Sequence, residues 1–298
     1  MQTRPSRVYL PKFDSAPPTI LEYLLARFPQ VQASVWHARV LEGQVTLNDG
    51  TTIREDSPYR HGITVFYRKQ VPCEPPSLEE PLIVYRDDEI LVVHKPHGMP
   101  VTPSGEHNER SLFIRLLRST GLPDLGPVHR LDRDTAGLLL FTIKLGARSH
   151  YHRLFAEGRV EREYVAVARI TGHLEGTHWR VENRLEPGEP WYRQRIVKGP
   201  VNAITEIALV ELRSGFGLFR LFPKSGRKHQ LRVHMASIGC PIFGDPFYPT
   251  IVENREGDPP LQLLSKRLAF IDPLTGESHV FESPKKLALC DALQFRRL

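Results

Sequence analysis

The stretch HRLDRDTAGLLL at residues 129–140 constrains this chain more than any other. It packs one imidazole, two arginines and two carboxylates into six residues and then turns abruptly apolar. The run from Gly137 through Leu138, Leu139 and Leu140 to Phe141 is too short for a helix. Bounded by Gly137 and Thr142, it reads as a fully buried strand. The profile is that of a polar loop delivering charge to the end of such a strand. A carboxylate held at that edge beside arginines stays ionised and is available as a nucleophile or base.

A chain of 298 residues, 40% hydrophobic and 25% charged, has room for one large domain or two and enough apolar surface for a sizeable core. The net charge of +6 favours a polyanionic partner without requiring one. Its distribution says more. Residues 213–244 contain Arg213, Arg220, Lys224, Arg227, Lys228 and Arg232 and no acidic residue, a local positive field that would draw phosphate groups. Cys73, Cys240 and Cys290 are odd in number and form no CxxC pair, against a disulfide framework or a structural zinc. The amino terminus lacks an apolar signal core and no window of about 20 residues is free of charge, so the expectation is a cytoplasmic protein without membrane contact.

Helical spacing of Ile20, Leu21, Leu24, Leu25 and Phe28, with Thr19 and Glu22 as a capping box, predicts a first helix. A second spans about 31–41. Residues 44–47 then alternate into the Asn48-Asp49-Gly50 turn, a hairpin signal. Residues 72–81, with four prolines and three glutamates, mark a linker between an N-terminal module (1–71) and a larger domain (82–298). Two strands are expected around the acidic turn at 87–89, and an amphipathic helix with a basic outer face within 142–157. A strand over 160–168 and two more near 203–213 and 217–223 complete the reading.

HRLDRDTAGLLLF resembles the catalytic signature of the RluA-type pseudouridine synthases. Two further segments match in the expected order, EREYVAVA at 161–168 and SGRKHQLRVHMASIGCPIFGDPFY at 225–248, and HKPHGMPV resembles the family's strand, Lys-Pro, Gly segment. The resemblance implies an α+β synthase core on a mixed, largely antiparallel sheet. It implies isomerisation of uridines in RNA, ribosomal RNA first and transfer RNA as a second target, with no cofactor and no obligate protein partner. Asp132 then takes the place of the catalytic aspartate, Tyr164 of the active-site tyrosine, and Arg232 of the basic residue paired with that aspartate. Such a pairing would lower the Asp132 pKa below about 3.9. Arg130 fits the position that helps hold the flipped-out nucleotide, and Arg133, Arg227, Lys228 and His229 join it as RNA-binding candidates. The helix, helix, hairpin order of residues 17–70 is similar to an S4-type RNA-binding module, with His37 and Arg39 as its candidate contacts. The sequence departs from the family pattern at Ala136, Lys228, Cys240 and Ser265-Lys266.

His129, His229 and His234 do not have helical zinc spacing, and no metal is expected. Asp132 and Asp134 could be the paired carboxylates of a glycoside hydrolase, although neighbours two apart in a loop seldom reach the separation needed. No GxxxxGK[ST] or GxGxxG occurs for a nucleotide. The non-enzyme alternative is an RNA-binding, ribosome-associated protein with an inactive synthase core. Asp134, Gly226, Gly239, Gly244 and Asp245 read as capping, backbone and turn positions.

Overall fold

A computed structural model describes residues 6–13, 15–28, 31–67, 79–103, 110–170, 172, 174–190, 192–252 and 257–295. Cys73 and most of the linker at 72–81 lie outside them. The chain divides into two compact units, residues 1–74 and 75–298.

In the first unit, strand β1 (Ser6–Tyr9) precedes helices α1 (Ile20–Arg27) and α2 (Ala33–Leu41), and strands β2 (Val45–Leu47) and β3 (Thr64–Tyr67) follow. Thr19 caps α1, its hydroxyl accepting from the Glu22 N–H at 3.1 Å. The three strands lie in the order β1-β3-β2, all antiparallel. The turn at Asn48-Asp49-Gly50 does form, closed by Gly50 N–H to Leu47 O at 3.1 Å. Its hairpin is short, a single bridge from Thr46 to Thr52 on the edge of β2 opposite β3, because Ile53 then turns into the core among Trp36 and Val45. Arg39 is 6% exposed, its guanidinium 4.9 Å from the Trp36 ring, and His37 pairs with Glu55 at 2.5 Å. Arg39 is thus turned into its own unit, while His37 stays half-exposed beside Glu55.

The second unit is built on one sheet. Its strands are β4 (Leu82–Arg86), β5 (Ile90–Lys95), β6 (Gly126–Pro127), β7 (Ala136–Thr142), β8 (Glu161–Arg169), β9 (His178–Pro187), β10 (Gln194–Val197), β11 (Ala203–Arg213), β12 (Phe216–Pro223), β13 (Leu263–Ile271) and β14 (Ser278–Glu282). The order is β10-β9-β11-β12-β8-β13-β7-β5-β4, with β14 on β13 and β6 on β7. Every pairing among these described strands is antiparallel except β13 with β7, so the sheet is mixed and largely antiparallel. Helices α3 (Leu112–Thr120) and α5 (Gln230–Ser237) supply Leu112, Leu116, Leu231 and Met235 to one face of the sheet. On the other face, α4 (Arg148–Ala156) supplies Tyr151 and Leu154, and α6 (Ala288–Ala292) supplies Cys290. The expected amphipathic helix is thus shorter than the segment 142–157, because β7 runs on through Thr142.

This two-sided cover explains the uninterrupted apolar run. All seven residues of β7 are buried, with Leu139 and Phe141 in one core and Leu138 and Leu140 in the other. Strand β8 behaves alike: Tyr164, Ala166 and Ala168 face the first core, while Val165 and Val167 face away.

The parallel contact of β7 with β13 covers only Ala136 to Leu264 and Gly137 to Ser265. It depends on Gly137, whose φ is +113° and whose absent Cβ would lie 2.3 Å from Ser265 O and 2.5 Å from Ser265 N. Gly137→Ala is expected to cost at least about 2 kcal/mol, read as a lowered urea midpoint at unchanged slope. The penalty falls where the polar loop enters the sheet, so activity should fall with it.

Candidate active site

The loop between β6 and β7 carries Asp132 to the N-terminal end of the buried strand, and two neighbouring segments close around it. The first follows β5. Lys95, fully buried, donates from Nζ to Pro96 O, Met99 O and Arg133 O, each at 2.8 Å. One ammonium thus fastens the turn after β5 to the residue next to Asp132. Burial pulls the Lys95 pKa down to about 7, while Asp134 and Asp132 favour the charged form. His97 Nδ1 also meets Asp134 O at 2.7 Å. Lys95→Met is expected to destabilise the protein by roughly 2–4 kcal/mol, since three carbonyls lose a charged donor. Thermal melting checks it.

The second segment runs from β12 into α5. Gln230 uses its whole amide there. Its oxygen accepts from the Ser225 hydroxyl (2.8 Å) and Arg227 N–H (3.0 Å), and its nitrogen donates to Ile204 O and Thr205 Oγ1 (both 2.9 Å). His229, just before the helix, sits at φ +54°, a left-handed conformation rare for a side-chain-bearing residue. The Tyr248 hydroxyl accepts from Gln194 N–H at 2.6 Å and lies 3.0 Å from His229 Nδ1. The hydroxyl proton is placed to go to Nδ1, which leaves the Nε2 side of the ring toward Asp132 Oδ2 at 3.9 Å. Burial first, then Arg232 and Lys228, push the His229 pKa down to about 3, so the ring is neutral.

Arg232 is 1% exposed and differs from expectation in its main partner. Its fork goes to Asp245, Nε to Oδ2 at 2.8 Å and Nη2 to Oδ1 at 2.6 Å, while Asp245 also accepts from Phe247 N–H at 2.8 Å. Only Nη1 is left for Asp132, at 3.7 Å from Oδ2. Asp245, expected to be a turn position, is therefore the residue that orients Arg232, and Phe247 lies under the guanidinium at 5.0 Å. The expected lowering of the Asp132 pKa is corrected for the same reason. Burial raises it, Arg232 opposes from a distance, and Asp134 adds to the rise.

Asp132 lies in the wall of a cavity of about 520 Å³ together with Arg130, Arg133, Arg227, Lys228, His229 and Arg232. A smaller recess of about 90 Å³ joins Asp132 and Arg232 to Tyr164 and Arg162. Every residue of the second unit named from the sequence as catalytic or RNA-binding thus lines one of two adjoining spaces, while His37 and Arg39 belong to the first unit. Tyr164 is 7% exposed, and burial raises its phenol, against the pull of Arg162, so it is a neutral hydroxyl. Asp134, 19% exposed, accepts from Arg133 Nε at 3.0 Å. His129 and His234 act as hydrogen-bonding supports: His129 Nε2 accepts from Leu140 N–H at 3.1 Å, and His234 meets Thr205 and Asn183. Lys95, Gln230 and Asp245 had no sequence signal beyond their place inside matched segments.

Half of the six cations of the basic run at 213–244 meet carboxylates in three dimensions. Glu163 holds Arg220 by two bonds of 2.6 and 2.7 Å, Glu206 holds Lys224 at 3.0 Å, and Asp245 holds Arg232. The positive field that reaches the cavity comes from Arg130, Arg133, Arg227 and Lys228, which are exposed. No group of three or more His, Cys, Asp or Glu placed to hold a metal occurs among the described residues, and no described helix is long and apolar enough to cross a membrane.

A family model described as RNA pseudouridylate synthase matches residues 89–237. The dual-specificity RNA pseudouridine synthase RluA of Escherichia coli (strain K12) is 34% identical over 215 residues, covering 70% of this chain and 95% of that relative. The uncharacterized RNA pseudouridine synthase YlyB of Bacillus subtilis (strain 168) is 31% identical over 269 residues, 86% of this chain and 85% of the relative. Among solved structures, human RNA pseudouridylate synthase domain containing 1 shares the fold at a TM-score of 0.58 and 24% identity, over 76% of this chain and 99% of that one.

Proposed function

The chain belongs to the RluA-type RNA pseudouridine synthase family, and from that premise we propose that it isomerises specific uridines in structured RNA through Asp132, with ribosomal RNA the first target and transfer RNA the second. The observation that carries this reading is the position of Asp132. It is a carboxylate 27% exposed in the wall of a cation-lined cavity, faced by Arg232 Nη1 and a neutral His229, with the Tyr164 ring in the adjoining recess.

Isomerisation breaks the bond from N1 to C1′, turns the freed uracil, joins C5 to C1′ and removes the C5 proton. Asp132 serves as nucleophile, toward base or sugar, or as the base that opens a glycal route. Arg232, fixed by Asp245, offers one guanidinium nitrogen to the developing charge without neutralising the carboxylate outright. Tyr164 stacks on the uracil, and as a neutral phenol it can only relay the C5 proton, its oxygen taking that proton as its hydroxyl gives its own to a base such as the released Asp132 carboxylate. Arg130, Arg133, Arg227, Lys228 and His229 hold the RNA, whose target nucleotide has to leave its helix to reach the recess. Residues 82–298 form the catalytic domain, residues 72–81 the linker, and residues 1–71 an S4-like module. A cytoplasmic setting fits Cys240 and Cys290, both buried free thiols.

Tritium release from 5-tritiated-uridine ribosomal and transfer RNA, with no added cofactor, tests the reading. Release is the expected result. RNA binding with no release from either class would overturn it in favour of an inactive, RNA-binding core.

A further inference from the structure

A second cavity, of about 690 Å³, lies beside the first and shares Arg130 and Arg227 with it. It shares Arg162 and Tyr164 with the recess at Asp132, so the two spaces meet across these side chains. The chemistry of its wall differs from that of the first cavity. Among the described residues no carboxylate lines it, whereas Asp132 and Asp134 line the first. Four cations do: Arg130, Arg162, Lys224 and Arg227. On one side stand His129 and Phe155, stacked with ring centres 4.4 Å apart and planes 19° from parallel. Burial drives the His129 pKa down to about 3, so this pair is an uncharged aromatic surface.

Arg162 stands at the junction. Its Nη2 donates to Pro223 O at 3.2 Å and Ser225 O at 3.3 Å, which fixes the guanidinium. Among the described residues its Nε has no partner, although it is buried. A guanidinium anchored at one nitrogen and lining two spaces suits a phosphate oxygen. The volume is that of an ordinary ligand site, and an aromatic wall under a cationic rim is how single-stranded nucleic acid is held without reading a duplex.

We propose that this cavity takes the nucleotide adjoining the target uridine, its base against the His129 and Phe155 pair and the phosphate linking the two nucleotides on Arg162. The proposal rests on the isomerase reading above and adds to it a second base-binding site outside the reacting pocket, where the choice of target sequence can be made.

Photo-crosslinking with the full-length wild-type protein tests it. Ribosomal and transfer RNA transcripts carrying scattered 4-thiouridine are irradiated in complex, and the crosslinked peptides are identified by mass spectrometry. Adducts on Phe155 or on His152 at the rim, besides adducts around Asp132, are expected. Adducts confined to the surroundings of Asp132 would overturn the second site and leave the isomerase reading standing. Adducts at Phe155 without tritium release would keep a nucleotide site and remove the isomerase, and adducts at neither place would overturn both. Phe155→Leu, which keeps an apolar side chain on α4, is expected to raise KM roughly fivefold with kcat little changed. An unchanged KM in that variant counts against the stacking surface.

Discussion

Asp132→Asn is expected to lower tritium release at least about a thousandfold while leaving the fold intact, because the substitution keeps the shape of the side chain and removes its charge. Stability separates this loss from simple misfolding. Burial raises the Asp132 pKa above the ordinary 3.8, so the folded protein binds this proton more tightly than the unfolded chain does. Stability drawn from that group is fully present below the unfolded pKa and is lost as pH rises through the folded one. At neutral pH the ionised form therefore costs stability, and Asp132→Asn should melt no lower than wild type. The same shift fixes the acid limb of activity. If the ionised carboxylate reacts, kcat/KM rises with pH through a pKa above 3.8, and the limb disappears in the Asn variant's residual rate. An Asn variant retaining a tenth of the activity would remove Asp132 from the chemistry.

The largest expected effect on stability belongs to Asp245→Ala. Arg232 and Asp245 are each 1% exposed at the side chain and share two short bonds, so removing the carboxylate leaves a buried guanidinium without its main partner. The cost should be about 3–5 kcal/mol, a large part of the 5–15 kcal/mol that typically holds a domain together. Urea unfolding measures it. Replacing both partners by apolar residues, as in Arg232→Met with Asp245→Leu, should recover much of the stability yet none of the activity, since no guanidinium then faces Asp132 and only the neutral His229 remains beside it. A double variant that regained activity would show that the pair serves packing alone. By contrast Arg220, which holds the buried Glu163 by two bonds, is itself half-exposed, so solvent can replace part of what it supplies and the loss of this pair should cost less than that of Asp245.

Several elements could be read from local chemistry because local chemistry decides them. Thr19 caps its helix wherever that helix docks, and an apolar run as short as residues 137–141 is stable only as a strand buried on both faces. The order of HRLD, EREY and HQLRVH located the residues that line the cavity at Asp132, since each segment is a short stretch of backbone whose side-chain types and spacing are explicit.

What stayed hidden depends on partners far apart in the chain. That Arg232 spends its fork on Asp245 rather than on Asp132, and that Glu163 and Glu206 pair with two of the six cations of a run with no acid in it, follow from strand pairing and the return of residues 245–248 over α5. The Asn48-Asp49-Gly50 turn promised a local hairpin, but its return arm leaves β2 after one bridge as Ile53 enters the core, and the longer ladder of β2 is to β3 on its other edge. The sequence by itself determined the α+β architecture, the family and the segments that meet at Asp132. The tertiary structure alone decided the charge each group feels, because pKa and pairing depend on burial and on distances of a few ångströms between residues that composition and spacing do not relate.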